Sequence, residues 1–222
     1  MRKFSDSTIT ICTDALKKSM DEISSLPMIN ISELPTDRSC LIIVDAVNGF
    51  IREGAMSDRQ IESIIPPITE LMKKCKSANI PIIAFADCHS KDCAEFASFP
   101  SHCVDGTHEA EIVDEIKTEG GYTLIKKNST NGYHESDFIK YLQENPDTDT
   151  FIVVGDCTDI CVMQLCLAIK TGFTAQNKNV NIIVPANCVE TYDAPAHGSD
   201  FANIAAYTLM SGSGIKFVSE IA

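Results

Sequence analysis

Reactive side chains stand directly after the apolar runs of this sequence. The run at residues 40–44 leads into Asp45, and the run at 80–86 into Asp87, Cys88 and His89. The run at 122–125 leads into Lys126 and Lys127. The run at 151–154 leads into Gly155-Asp156-Cys157-Thr158-Asp159-Ile160-Cys161. A thiol, an amine and a carboxylate together make a nucleophile with a proton carrier. A nearby ammonium favours the thiolate, and a carboxylate can move a proton between thiol and leaving group. Asp45 is an available partner for either lysine, since a buried lysine is costly unless paired.

The same strand ends carry metal-type ligands. Asp87 and His89 are two residues apart, so in an extended segment they point to one side. Glu95 and His102 follow in a stretch that also holds Phe99 and Pro100. Two imidazoles and two carboxylates suit Zn²⁺, Fe²⁺ or Mn²⁺ with water positions left open. His108, His134 and His197 read as surface or loop residues.

Three cysteines compete as nucleophile. Thr158 is a candidate N-cap for a helix through Val162, Leu165 and Ile169, which would place Cys161 in the first turn. Partial positive charge at a helix N-terminus lowers a thiol's pKa, and unpaired N–H groups there could hold an oxyanion. Cys166 falls in mid-helix and reads as inert, while Cys157 in the turn reads as more exposed. Spacing alone does not choose between Cys157 and Cys161.

These residues need elements to position them. The apolar runs at 40–44, 80–86, 122–125, 151–154, 180–184 and 215–218 have the length and bounding residues of strands buried on both faces. Between them lie predicted helices at 58–77, 109–117, 135–144, 158–171 and 200–211. Strand–helix alternation with right-handed crossovers gives an α/β chain, a three-layer α/β/α sandwich around a mostly parallel six-stranded sheet. In such sheets ligands bind outside the carboxyl ends of the strands, where the reactive residues fall. Residues 1–38 carry a weak helical period (Ile11, Ala15, Leu16, Met20, Ile23) and then a stretch between Pro27 and Pro35. They read as an N-terminal extension packed on a domain spanning 39–222.

Composition limits the partners. At 222 residues, an ordinary size for one α/β domain, folding should bury roughly 70–75% of the unfolded surface. With 18 Lys+Arg against 31 Asp+Glu, the formal charge is −13, which argues against nucleic acid and against an anionic membrane surface. No apolar run approaches the roughly 20 residues that span a bilayer. The first ten residues have no signal-like apolar region, which points to the cytoplasm. There the ten scattered cysteines would stay reduced, most of them as small core residues.

Several motifs carry a family resemblance. Asp45 is followed by Asn48-Gly49-Phe50. Asp87-Cys88-His89 precedes Glu95 and then Phe99-Pro100-Ser101-His102-Cys103-Val104-Asp105-Gly106-Thr107 with Ala110-Glu111. Lys127 has Tyr133 six residues on, and Gly155 to Val162 reads Gly-Asp-Cys-Thr-Asp-Ile-Cys-Val. Over roughly residues 40–218 the chain resembles the isochorismatase-like cysteine hydrolases, and within them the nicotinamidases. The resemblance implies a triad of Asp45, Lys127 and Cys161, with Lys126 as the competing lysine. It implies an oxyanion hole from the N–H groups of Cys157 and Cys161, after a cis peptide before Cys157. It implies metal ligation by Asp87, His89 and His102, with Glu95 direct or through water and zinc the first choice of metal. Phe50, Phe99, Tyr133 and Ile160 would line the pocket.

The implied reaction is hydrolysis of nicotinamide to nicotinate and ammonia through a cysteine thioester, in NAD salvage. The implied partners are a small amide and further copies of the chain in a homo-oligomer. The sequence also departs from the family pattern. Cys88 replaces the usual Trp, Ala46-Val47 stands where members often carry Gln, and the chain has no Trp. Two other readings are a metal-free amidase for carbamoyl or ureido substrates, and a non-catalytic binding or redox module in which Cys157 and Cys161 trap oxidant.

Overall fold

Strand β1 (Ser39–Val44) divides the core in two. Leu41 and Ile43 pack on one face of the sheet, and Cys40, Ile42 and Val44 on the other. A computed structural model describes residues 4–222, so the first three residues of the expected extension lie outside the described residues. The other strands are β2 (Ile82–Asp87), β3 (Thr123–Lys127), β4 (Thr150–Gly155), β5 (Asn181–Pro185) and β6 (Lys216–Val218). All pair in parallel in the order β3-β2-β1-β4-β5-β6. The order reverses between β1 and β4, which opens a crevice at their carboxyl ends.

Among the described residues there are seven α-helices. They are α1 (Asp6–Ser24), α2 (Asn48–Ile51), α3 (Ile65–Ser77), α4 (Asp114–Glu119), α5 (Ser136–Glu144), α6 (Met163–Ala175) and α7 (Ser199–Gly212). α3 packs Ile68, Leu71, Met72 and Cys75 on one face, with Ile116 of α4 beside it. The other face takes Phe138 of α5, Leu165, Cys166 and Ile169 of α6, and Ala206 and Met210 of α7. The α/β/α layering is as the sequence predicts. No helix among the described residues is long and apolar enough to cross a membrane.

Three helix predictions shift. The helix expected at 58–77 is a 3-10 turn, Arg59–Ile64, followed by α3, because Pro66 and Pro67 suit only a helix start. The helix expected at 109–117 begins at Asp114. Before it, His108–Ala110 form a 3-10 turn, and then Asn48 N–H donates to Glu111 O (2.9 Å) and Val113 N–H to Ala46 O (3.0 Å), which holds Glu111 to Val113 extended. At the N-terminus α1 does not bury its predicted stripe. Ile11 and Met20 are exposed, while Leu16 and Ile23 are half-buried and Ser19 is bonded to Thr208 of α7 (2.9 Å). Ile29 then runs parallel beside Ile221.

Candidate active site

The register of the sheet brings the strand-end residues together. Asp87 pairs with Lys127 across β2 and β3, and Val44 with Gly155 across β1 and β4. Lys127 is buried, and its Nζ lies 2.8 Å from Asp45 Oδ2, 2.6 Å from Asp87 Oδ1 and 3.8 Å from Cys161 Sγ. It also donates to Ser129 O at 3.0 Å. Alternation along β3 sends Lys126 the other way, to Asp105 at the surface (2.6 Å), where it is 60% exposed. Asp45 itself sits at φ 51°, a left-handed conformation that costs energy outside glycine and turns its carboxylate under the crevice.

The charges in this buried group set one another. Burial opposes the charge on Lys127, yet Asp45, Cys161 and Asp87 together hold the ammonium well above its ordinary range. Burial pushes the Asp45 carboxyl up to about 6 against the pull of Lys127. Asp87 goes the opposite way: Lys127 and the two neighbouring histidines overcome its burial and hold it well below the usual range. The Cys161 thiol is driven up by burial, with Lys127 pulling against Asp45 and Asp87. Asp45 and Cys161 are both buried, and the Lys127 ammonium lies within reach of each.

A tight turn delivers Cys161. Gly155 has φ +115°, and a Cβ there would stand 1.9 Å from Val44 O, so only glycine lets β4 end against β1. The Asp156–Cys157 peptide is cis. Thr158–Val162 then form a π-helical turn, closed by Val162 N–H donating to Cys157 O (3.2 Å), before α6 starts. Thr158 is not the N-cap. Cys157 takes that place, because Thr158 N–H is engaged by Glu190 O at 3.0 Å and the Thr158 hydroxyl is buried without a partner among the described residues. Cys157 is also not the more exposed thiol, since Cys157 and Cys161 are both buried. The Cys157 N–H has no backbone partner among the described residues.

Beside this group lies a second one. One ligand atom each from Asp87, His89, Glu95 and His102 falls within a set whose members are all within 4.8 Å of one another. Asp87 Oδ2 is 3.0 Å from His89 Nε2 and 3.2 Å from His102 Nε2, while Glu95 Oε1 is 3.9 and 3.8 Å from the same atoms. The outer ring nitrogens are spoken for: His102 Nδ1 donates to Pro100 O (2.7 Å), and His89 Nδ1 faces Asn128 Oδ1 (3.1 Å) and the Cys93 thiol (3.3 Å). That fixes both rings with Nε2 inward, and His89 Nε2 is buried with no hydrogen-bond partner among the described residues. Burial opposes a charge on His89, but Asp87 outweighs it and draws the imidazole up to about 9. This donor set fits a divalent cation such as Zn²⁺, Fe²⁺ or Mn²⁺.

A small, partly open cavity lies over both groups. Phe50, Phe99 and Ile160 border it, as do Met56, Thr130 and Tyr192, which the motifs did not indicate. Tyr133 does not reach it. Its ring packs on Phe138 (6.2 Å between centroids) and its hydroxyl lies against Gly172, so Thr130 of the same loop borders the cavity instead. Tyr192 follows the apolar run at 180–184 and so belongs to the same carboxyl edge of the sheet as the other reactive positions. His197 lies in the loop between β5 and α7, as expected, and is paired there with Asp159. His108 is exposed as expected and paired with Glu53 (2.7 Å).

The geometry has parallels in known proteins. The profile of the isochorismatase domain matches residues 39–212. The chain is 31% identical to Nicotinamidase 1 of Arabidopsis thaliana over 241 aligned positions, covering 94% of this chain and 95% of that protein. It superposes on the zinc complex of the pyrazinamidase of Pyrococcus horikoshii with a TM-score of 0.66 and 25% identity, covering 82% of this chain and 98% of that one. The N-carbamoylsarcosine amidase of Thermoplasma acidophilum shares the fold, with a TM-score of 0.67 at 23% identity over 82% of this chain and 95% of that one.

Proposed function

The chain belongs to the isochorismatase family, and we propose that it is an amidohydrolase converting nicotinamide to nicotinate and ammonia. One observation carries the reading. The Asp87 carboxylate belongs to both groups, with Oδ1 on the lysine beside the thiol and Oδ2 between the two imidazoles. A nucleophile and a ring-orienting site therefore share one cavity. A metal-free carbamoyl amidase has no use for four converging ligands, and a redox thiol has no use for the buried lysine.

Asp87, His89, Glu95 and His102 would hold a divalent cation, which supplies a Lewis acid for the pyridine nitrogen. The remaining work falls to this chain's own groups. Asp45 accepts the thiol proton as Cys161 Sγ attacks the carboxamide carbon. The N–H groups of Cys157 and Cys161 receive the developing oxyanion. Lys127 keeps its charge throughout and stabilises the sulfur anion. Asp45 then gives its proton to the amide nitrogen, the C–N bond breaks and ammonia leaves a thioester on Cys161. Water attacks the thioester with Asp45 as base, nicotinate departs and the thiol is regenerated. A cytoplasmic place in NAD salvage belongs to the same proposal.

The test is ammonia release from nicotinamide by the purified protein, beside Cys161→Ala and a chelator-treated sample. Release that disappears in both controls supports the reading. A metal-loaded, folded protein that releases no ammonia overturns it and turns attention to carbamoyl compounds.

A further inference from the structure

The cavity has one wall that the family motifs do not supply. Tyr192 borders it from the segment after β5, together with Cys161 and His102. The ring of His197 lies flat on Tyr192, with centroids 3.9 Å apart and planes 9° from parallel. His197 Nδ1 is 3.0 Å from Tyr192 O, and Nε2 is 2.8 Å from Asp159 Oδ2. A carbonyl and a carboxylate can only accept, so both ring nitrogens carry hydrogen and the stacked ring is a cation. Burial opposes that charge and the Asp159 carboxylate outweighs it.

The segment is fastened on every side. The other oxygen of Asp159 accepts from the buried Thr191 hydroxyl at 2.7 Å. Ala194 and His197 close a tight turn through two backbone hydrogen bonds of 2.9 Å. Asp58 accepts from the N–H groups of Gln60 (3.0 Å) and Asp193 (2.8 Å), and the Gln60 side chain donates to Thr191 O (2.7 Å). These bonds tie the segment to the stretch that carries Met56, another residue on the cavity. Asp159 lies two residues before Cys161 in the same π-helical turn, so that turn is tied directly to the Tyr192 segment.

We propose that Tyr192 is a specificity-determining residue, the aromatic wall against which a flat ring amide lies, and that His197 and Asp159 are the positioning residues that hold it there. The proposal rests on the reading of the substrate as an aromatic amide. With no Trp in the chain, ring contact on this side falls to a tyrosine whose far face is already stacked.

The experiment compares wild type, Tyr192→Leu, Tyr192→Phe and His197→Gln on nicotinamide and on a small acyclic amide, with calorimetric binding of nicotinamide in a Cys161→Ala background. Tyr192→Leu should raise KM for nicotinamide about fivefold or more with kcat held within about twofold, as loss of one aromatic contact implies. Tyr192→Phe should restore it, His197→Gln should shift KM in the same direction, and the binding constants should follow. Turnover of the acyclic amide should not respond. Unchanged KM in Tyr192→Leu, or an equal loss on the acyclic amide, overturns the wall while the wild-type activity still stands. Wild type that neither binds nor hydrolyses nicotinamide overturns the functional reading first, and the wall with it.

Discussion

Asp87 and Lys127 face each other in register on neighbouring strands, with Oδ1 and Nζ 2.6 Å apart and both side chains buried. The ammonium is shared with Asp45 at 2.8 Å, so one cation compensates two buried carboxylates. Removing it leaves both exposed to each other's field in a low-dielectric site.

Lys127→Met should therefore lose activity and about 3–5 kcal/mol of stability, the range for breaking a buried charge pair. Lys126→Met, which removes a surface partner of Asp105, should do neither. Thermal unfolding and initial rates on the two variants check this, and equal behaviour of the pair would contradict the assignment of Lys127.

The two thiols of the nucleophile turn should also separate. Cys161→Ala should abolish ammonia release, because sulfur forms the bond. Cys157→Ala should keep most of it, because in the proposed mechanism that residue acts through its N–H, which alanine retains. A redox module would need both sulfurs, so comparable losses in the two variants would favour it.

Metal content gives an independent readout. His102→Ala and Asp87→Asn should lower bound metal measured on the purified protein, and Glu95→Ala should lower it less, since Glu95 stands farther from both imidazole nitrogens. Chelation of the wild type should lower the melting temperature. A cation held at 100 times its Kd contributes about 2.7 kcal/mol. A melting temperature indifferent to chelator and to zinc would speak against the site.

The acid limb of the rate should report Asp45. In the proposed mechanism the carboxylate accepts the thiol proton only while ionised, and its carboxyl is raised to about 6. Activity should hold above that pH and fall about tenfold per unit below it. A rate still level at pH 5 would exclude Asp45 as the base.

Much of this arrangement was legible in the sequence, for definite reasons. Strands buried on both faces read as short unbroken apolar runs, so β1, β2, β4 and β5 stand out, and the residues after them mark one edge. What was not legible depends on contacts between distant segments. The stretch 109–117 reads as one helix because nothing local shows that Asn48 and Ala46 bind the backbone at Glu111 and Val113, which separates a 3-10 turn from α4. Thr158 has the residue type of an N-cap, but Glu190 from another strand's end takes its N–H. Tyr133 fits the motif spacing, yet the packing of Phe138 and α6 draws it away from the cavity. Tyr192 and His197 gain their meaning only through Asp159, more than thirty residues earlier.

The doubled lysine at the end of β3 has a consequence for assembly. β3 lies at the edge of the sheet and reads Thr-Leu-Ile-Lys-Lys, an apolar pair followed by a basic pair. Sliding it by one residue would set Leu124 where Ile125 packs and Lys126 where Lys127 reaches Asp87, so hydrophobic pattern and charge would tolerate the wrong alignment almost as well as the right one. The alignment is pinned from outside the strand: Lys126 binds Asp105, Cys88 N–H donates to Lys127 O at 2.9 Å, and Asn128 N–H donates to Glu135 at 3.0 Å. The Lys126–Asp105 pair is thus one of the contacts that hold this doubled sequence in the observed register, with Lys127 inward and Lys126 outward.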